Sequence, residues 1–96
     1  MPEGDPGHQF QMFLKPIENA LRSQNVEAAL RLAGHLLEVG GDAAELEDRK
    51  VHVLLRAMEG ATASVKTEFR TKLLEQFGER LTERSRARFS SPLDRL

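Results

Sequence analysis

Asn25-Val-Glu-Ala-Ala-Leu-Arg-Leu-Ala-Gly-His-Leu-Leu-Glu-Val-Gly-Gly41 reads as one complete helix with both of its ends marked. Asn25 is a good N-cap, because its side-chain oxygen can accept from an amide of the first turn that has no partner within the helix. Gly40-Gly41 supplies the left-handed geometry that closes a helix. The spacing therefore predicts a helix from about Val26 to Val39. Its apolar positions are Val26, Ala29, Leu30, Leu32, Ala33, Leu36, Leu37 and Val39. At about 100° per residue they cover an arc of roughly 180°. A helix resting on a globule needs a stripe of only about 100°, so this one is built to pack on two sides.

Downstream, Asp42 with Glu45 three residues on forms a capping-box-like start, with Asp in place of Ser or Thr. A third helix follows to about Glu59, with Gly60 as its stop. Its apolar residues, Ala43, Ala44, Leu46, Val51, Val53, Leu54, Leu55, Ala57 and Met58, span roughly 200°. A fourth helix starts near Thr62 or Ser64 and carries Val65, Phe69, Leu73, Phe77 and Leu81, with Gly78 as a break or bend. Upstream, Phe10, Phe13, Leu14, Ile17 and Leu21 recur at helical spacing. Pro16 removes a donor and disfavours helix at Lys15, which predicts a first helix from about Pro16 to Ser23. Ser91-Pro92 argues against helix beyond Ser90.

No strand-like alternation and no Asn-Gly or Asp-Gly hairpin turn occurs. The expected fold is all-α: an antiparallel helical bundle or tetratricopeptide-like helix hairpins, with four to five helices, since short links place neighbours side by side. Residues 1–8, rich in Pro and Gly, read as a flexible tail, 9–83 as a single helical domain, and 84–96 as an Arg/Ser-rich tail.

The two wide arcs leave two explanations. Their second side is covered either by helix four and the N-terminal Phe cluster, or by another subunit, because large apolar surfaces left in water are unusual in monomers. On the second explanation the contact residues are Leu32, Leu36, Val39, Leu46, Val53 and Ala57, taken from the side of each arc least needed by the chain's own core. Their role would be burial, worth about 1.5–3 kcal/mol for each fully buried Leu or Val.

Composition closes several other doors. The chain has 96 residues, 14 Lys+Arg against 15 Asp+Glu, and no Cys, Trp or Tyr. Zero Cys excludes a disulfide framework, a thiol nucleophile and a cysteine zinc finger, and fits a cytoplasmic location. The acidic N-terminus does not read as a signal peptide. No apolar run approaches the roughly 18 residues that cross a bilayer, so no membrane partner is expected. His8, His35 and His52 are the metal candidates, but none belongs to a ligand-like pair of the His-Glu-x-x-His kind. Glu45, Glu47 and Asp48 complement the positive end of their own helix. No Gly-x-Ser-x-Gly turn and no glycine-rich phosphate loop is present. The expectation is no metal, no cofactor, no small-molecule substrate and no catalysis.

Charge is unevenly distributed. Residues 1–59 hold 6 basic and 10 acidic side chains, and residues 60–96 hold 8 basic and 5 acidic. The basic excess includes Arg80, Arg84, Arg86, Arg88 and Arg95. Arg neutralises phosphates, so Arg80, Arg84, Arg86 and Arg88 are the candidate nucleic-acid contacts. Against that reading, Glu79 and Glu83 interleave with them, and no Tyr or Trp is available to stack on bases. A solvated helix end, or a complement to the acidic half of a partner chain, is the competing explanation.

The run Ala29-Leu-Arg-Leu-Ala-Gly-His-Leu-Leu37, then Asp42 in the turn, then Lys50, Leu54, Leu55 and Arg56 in the next helix, resembles the helical dimerisation domain that follows the metallo-β-lactamase-like catalytic domain of alkylsulfatases. Tetratricopeptide-like helix pairs share the same small-residue packing at Ala29 and Ala33. The resemblance covers roughly Gln24 to Arg56. It implies helical self-association, and it carries no zinc ligand over to His8, His35 or His52, because the family's ligands belong to the catalytic domain. The functional expectation is a small helical module for self-association or for docking a helical protein partner. The alternative is a small nucleic-acid-associated regulator using the Arg-bearing C-terminal segment.

Overall fold

The computed structural model describes residues 10–39 and 44–90, which are helical except at short turns and contain no strand. The helices are α1 (Leu14–Arg22), α2 (Val26–Glu38), α3 (Ala44–Met58), α4 (Ala63–Phe77) and α5 (Glu83–Ser90), with a 3-10 turn, Gly78–Arg80, before the last. The all-α expectation of four to five helices holds.

The local reasons are largely those of the sequence. Pro16 lies in the first turn of α1, where an amide would have no partner within the helix, so its missing donor breaks nothing. α1 ends in a Schellman turn: the Asn25 amide donates to the Ala20 carbonyl (2.8 Å) and the Gln24 amide to Leu21 (3.0 Å). The residue at the left-handed position is Gln24, with φ 63°, where glycine is usual. Asn25 then caps α2 by accepting from the Ala28 amide at 3.2 Å. Thr62 caps α4 by accepting from Val65 at 3.3 Å. The proposed helix stop at Gly40-Gly41 and the cap at Asp42 lie outside the described residues, as do the 1–8 segment and His8; so does the Glu45 side chain.

Most of each wide apolar arc is covered from within the chain, with Leu32, Val39, Leu46 and Leu55 only partly buried. α2 packs on α1 and α4, while α3 packs on α1, α2 and α5. Ala29 and Ala33 are completely buried and keep the backbone of α2 close to its neighbours. Gly34 goes further: a Cβ there would lie 3.0 Å from Cζ of Phe77 on α4. Phe10, Ile17, Leu36, Leu54, Phe69, Leu73 and Phe89 form the large centre of the core, and Phe13 packs against its edge. The segment expected to be an Arg/Ser-rich tail from residue 84 begins with α5, whose Ser85 and Phe89 are buried. α3 and α4 follow each other in sequence yet do not pack closely together. The space between them is where the site lies.

Candidate functional site

The acidic start of α3 holds α5 in place. The Thr82 amide donates to Glu47 Oε2 at 2.9 Å and the Thr82 hydroxyl donates to the same oxygen at 3.2 Å. That hydroxyl also accepts from the Ser85 amide at 3.2 Å. Thr82 is therefore the N-cap of α5, and Glu47 adds a full negative charge where the helix dipole favours one. Burial raises the Glu47 pKa, but the Ser85 hydroxyl, the Thr82 amide and hydroxyl and the Lys50 ammonium together outweigh it and hold the carboxyl below its ordinary value. Asp48 lies 3.7 Å from both Arg84 and Arg88, and Arg80 reaches Glu38 at 3.7 Å. These pairs are partly exposed, so each contributes only about 0–1 kcal/mol. Glu47 and Asp48, expected to complement their own helix, thus also engage the start of α5.

Lys50 has the complementary task at the C-terminal end of α2. It is 3% exposed, its Nζ donates to the Leu37 carbonyl at 2.8 Å, and the ammonium stands 5.8 Å from the centre of the Phe10 ring. The Leu37 carbonyl is one of the last four of α2 and has no partner within the helix. A cation there also matches the negative end of the helix.

Beside this braced region lies an open groove made of two adjoining cavities. One, of about 370 Å³, runs between α3 and α5 and is lined by Gln11, Asp48, Arg49, His52, Val53, Arg84 and Arg88. The other, of about 510 Å³, lies between α3 and α4. His52, Leu55, Arg56, Met58, Glu59, Lys66 and Arg70 line it, and Arg88 lies at its edge. His52 and Arg88 border both. Helical spacing explains the lining: Arg49, His52, Arg56 and Glu59 form one stripe of α3, and Lys66 and Arg70 lie one turn apart on α4. Six Lys and Arg side chains thus face two carboxylates, Asp48 and Glu59, on a chain of net charge -1. Among the described residues, no carboxylate comes within ion-pair distance of Arg49, Arg56 or Lys66. The partly buried Leu55 and the edge of Met58, which is otherwise held in the core, give the larger cavity an apolar wall.

The residues singled out from sequence are distributed differently. Of the six expected partner contacts, Leu36, Val53 and Ala57 are buried in the chain's own core. Leu32, Val39 and Leu46 pack against that core but remain partly open. Of the four candidate nucleic-acid contacts, Arg80, Arg84 and Arg88 have carboxylate neighbours within the chain. Arg86 donates to the Gly78 carbonyl at 3.4 Å. His35 and His52 are exposed on different helices. The described residues contain no group of three or more side chains placed to hold a metal ion, and no helix among them is long and apolar enough to cross a membrane. Sequence reasoning missed the groove. The Arg49, His52 and Arg56 spacing was its one visible sign. No protein-family model matches the chain, and neither curated proteins nor solved structures give a match.

Proposed function

We propose that the chain is a small helical protein–protein interaction module without catalytic activity of its own, and that it works through the groove between α3, α4 and α5. The observation that carries this reading is the combination of an apolar wall, formed by Leu55 and the edge of Met58, with a cationic rim at Arg49, Arg56 and Lys66 that has no carboxylate partner among the described residues. Unpaired charge beside apolar surface is the composition of a docking site with an apolar centre and a polar rim. The resemblance of residues 24–56 to a helical dimerisation domain supports an interaction role, and a cytoplasmic setting belongs to the same reading.

Self-association through α2 and α3 has less to work with, because only Leu32, Val39 and Leu46 of the expected contact set remain partly open. The nucleic-acid reading draws on the same arginines that the fold already engages.

Selection of random peptides displayed on phage against the immobilised chain tests the proposal. Sequences should be enriched on the unaltered chain and lost on an Arg56→Glu, Lys66→Glu double variant. Enrichment that survives the double variant, or no enrichment, would remove the groove from its role. Removing everything after Thr82 is not a usable control for the nucleic-acid alternative, since it deletes Phe89 from the core. Retention of the full chain on heparin, compared with an Arg86→Glu variant, is the cleaner measurement.

A further inference from the structure

We infer that the groove receives an acidic, amphipathic segment of a partner protein, which seats an apolar side chain against Leu55 and Met58 while its carboxylates meet Arg49, Arg56 and Lys66. This rests on the interaction-module reading and goes beyond it by fixing the chemistry of the occupant.

Three features lead there. The first is charge complementarity. The cations of the groove stand out on a chain that is slightly acidic as a whole, so the local field selects an anionic occupant and repels a basic one. The second is the wall. A phosphate backbone has no use for the apolar wall, whereas an aliphatic side chain gains by covering the partly open Leu55 and the edge of Met58. The described phenylalanines are buried or packed against the core, which removes the aromatic platform that single-stranded nucleic acid uses. The third is shape. The larger cavity runs along α3 from His52 to Glu59, about two helical turns, between two helices that do not pack closely together. That is the setting in which a partner helix lays its apolar face into a groove, with anchors three and four residues apart.

The test uses the full chain and a labelled synthetic peptide of about four helical turns, with Leu on one face and Glu elsewhere, followed by fluorescence anisotropy. Three comparison probes are a version with Glu replaced by Gln, a version with Leu replaced by Ser, and an oligothymidylate of similar length. The expected result is saturable binding of the Glu/Leu peptide. Each peptide replacement should weaken it about tenfold or more, as should the Arg56→Glu, Lys66→Glu chain, and it should weaken as salt rises. Arg49→Glu gives an independent check at the neighbouring cavity, and Arg31→Glu, on α2 and outside the groove, should leave binding unchanged. Circular dichroism melting confirms that each variant is folded.

Equal binding of the Leu→Ser probe or of the oligothymidylate would overturn the inference in favour of a simple polyanion site. Equal binding of the Gln probe would overturn the charge argument. Concentration-dependent dimerisation abolished by Arg56→Glu would make a second copy of this chain the occupant instead. If the phage selection yields groove-dependent peptides that are not acidic, the occupant is wrong while the module reading stands. If it yields none, the module reading itself fails.

Discussion

Two sets of charged side chains on α3 have opposite fates. In the first half Glu47 and Asp48 are engaged by α5, and Lys50 is buried against the end of α2 and the Phe10 ring. In the second half Arg56 faces open space beside Leu55, with no carboxylate partner among the described residues. The difference separates charge that the fold uses from charge that it leaves open to solvent. The first kind sits where helix ends need a counter-charge, and the second sits where α3 and α4 do not pack closely together.

The largest test of this contrast is at Val53, in the middle of α3 and 2% exposed. Val53→Glu should cost about 3–5 kcal/mol by placing an uncompensated carboxylate in the core, with helicity lost by circular dichroism. Leu32→Glu, at a partly open position, should cost about 1 kcal/mol. Loss of oligomer with helicity retained in the Val53 variant would instead make that residue an interface.

Next comes Lys50→Ala, which should lower stability in urea by about 2–3 kcal/mol. It removes a buried charged hydrogen bond to Leu37 and the packing of a long aliphatic stem. Glu47→Ala should cost about 1–2 kcal/mol by uncapping α5, and it should flatten the acid limb of the stability profile. The sign follows from the lowered pKa of Glu47. Its contribution is fully present above the ordinary glutamate value and is lost as pH falls through the lower value of the folded chain. The smallest effect belongs to the groove. Arg56→Glu should change stability by no more than about 0.5 kcal/mol, although on the proposed reading it should remove peptide binding. A large loss there would place Arg56 among the residues that hold the fold.

The helices and two of their caps were legible in the sequence because the signals are local. Asn25 and Thr62 cap residues three positions away, and the apolar periodicity of α2 needs no knowledge of its neighbours. What was not legible depends on contacts across the chain. Glu47 meets Thr82 from 35 positions away, and in isolation its carboxylate reads as a complement to its own helix. Lys50 looks like a surface residue until Leu37 and Phe10 close over it. α5 was obscured by its Arg and Ser content, since its buried side is only Ser85 and Phe89, although Thr82 followed by Glu83 is a cap signal of the same kind as the others. The apolar arcs were seen, but width alone does not say whether the second cover comes from the same chain. Here α1, α4 and α5 supply most of it.

The contact of Gly34 with Phe77 works as a shim between α2 and α4. A single added methyl would require the ring to yield by a few tenths of an ångström. Phe77 ends the helix that carries Lys66 and Arg70 about three and two turns earlier. The width of the opening between α3 and α4 is thus set partly from behind, by the thinnest residue of α2, and can be retuned without altering any side chain that lines it.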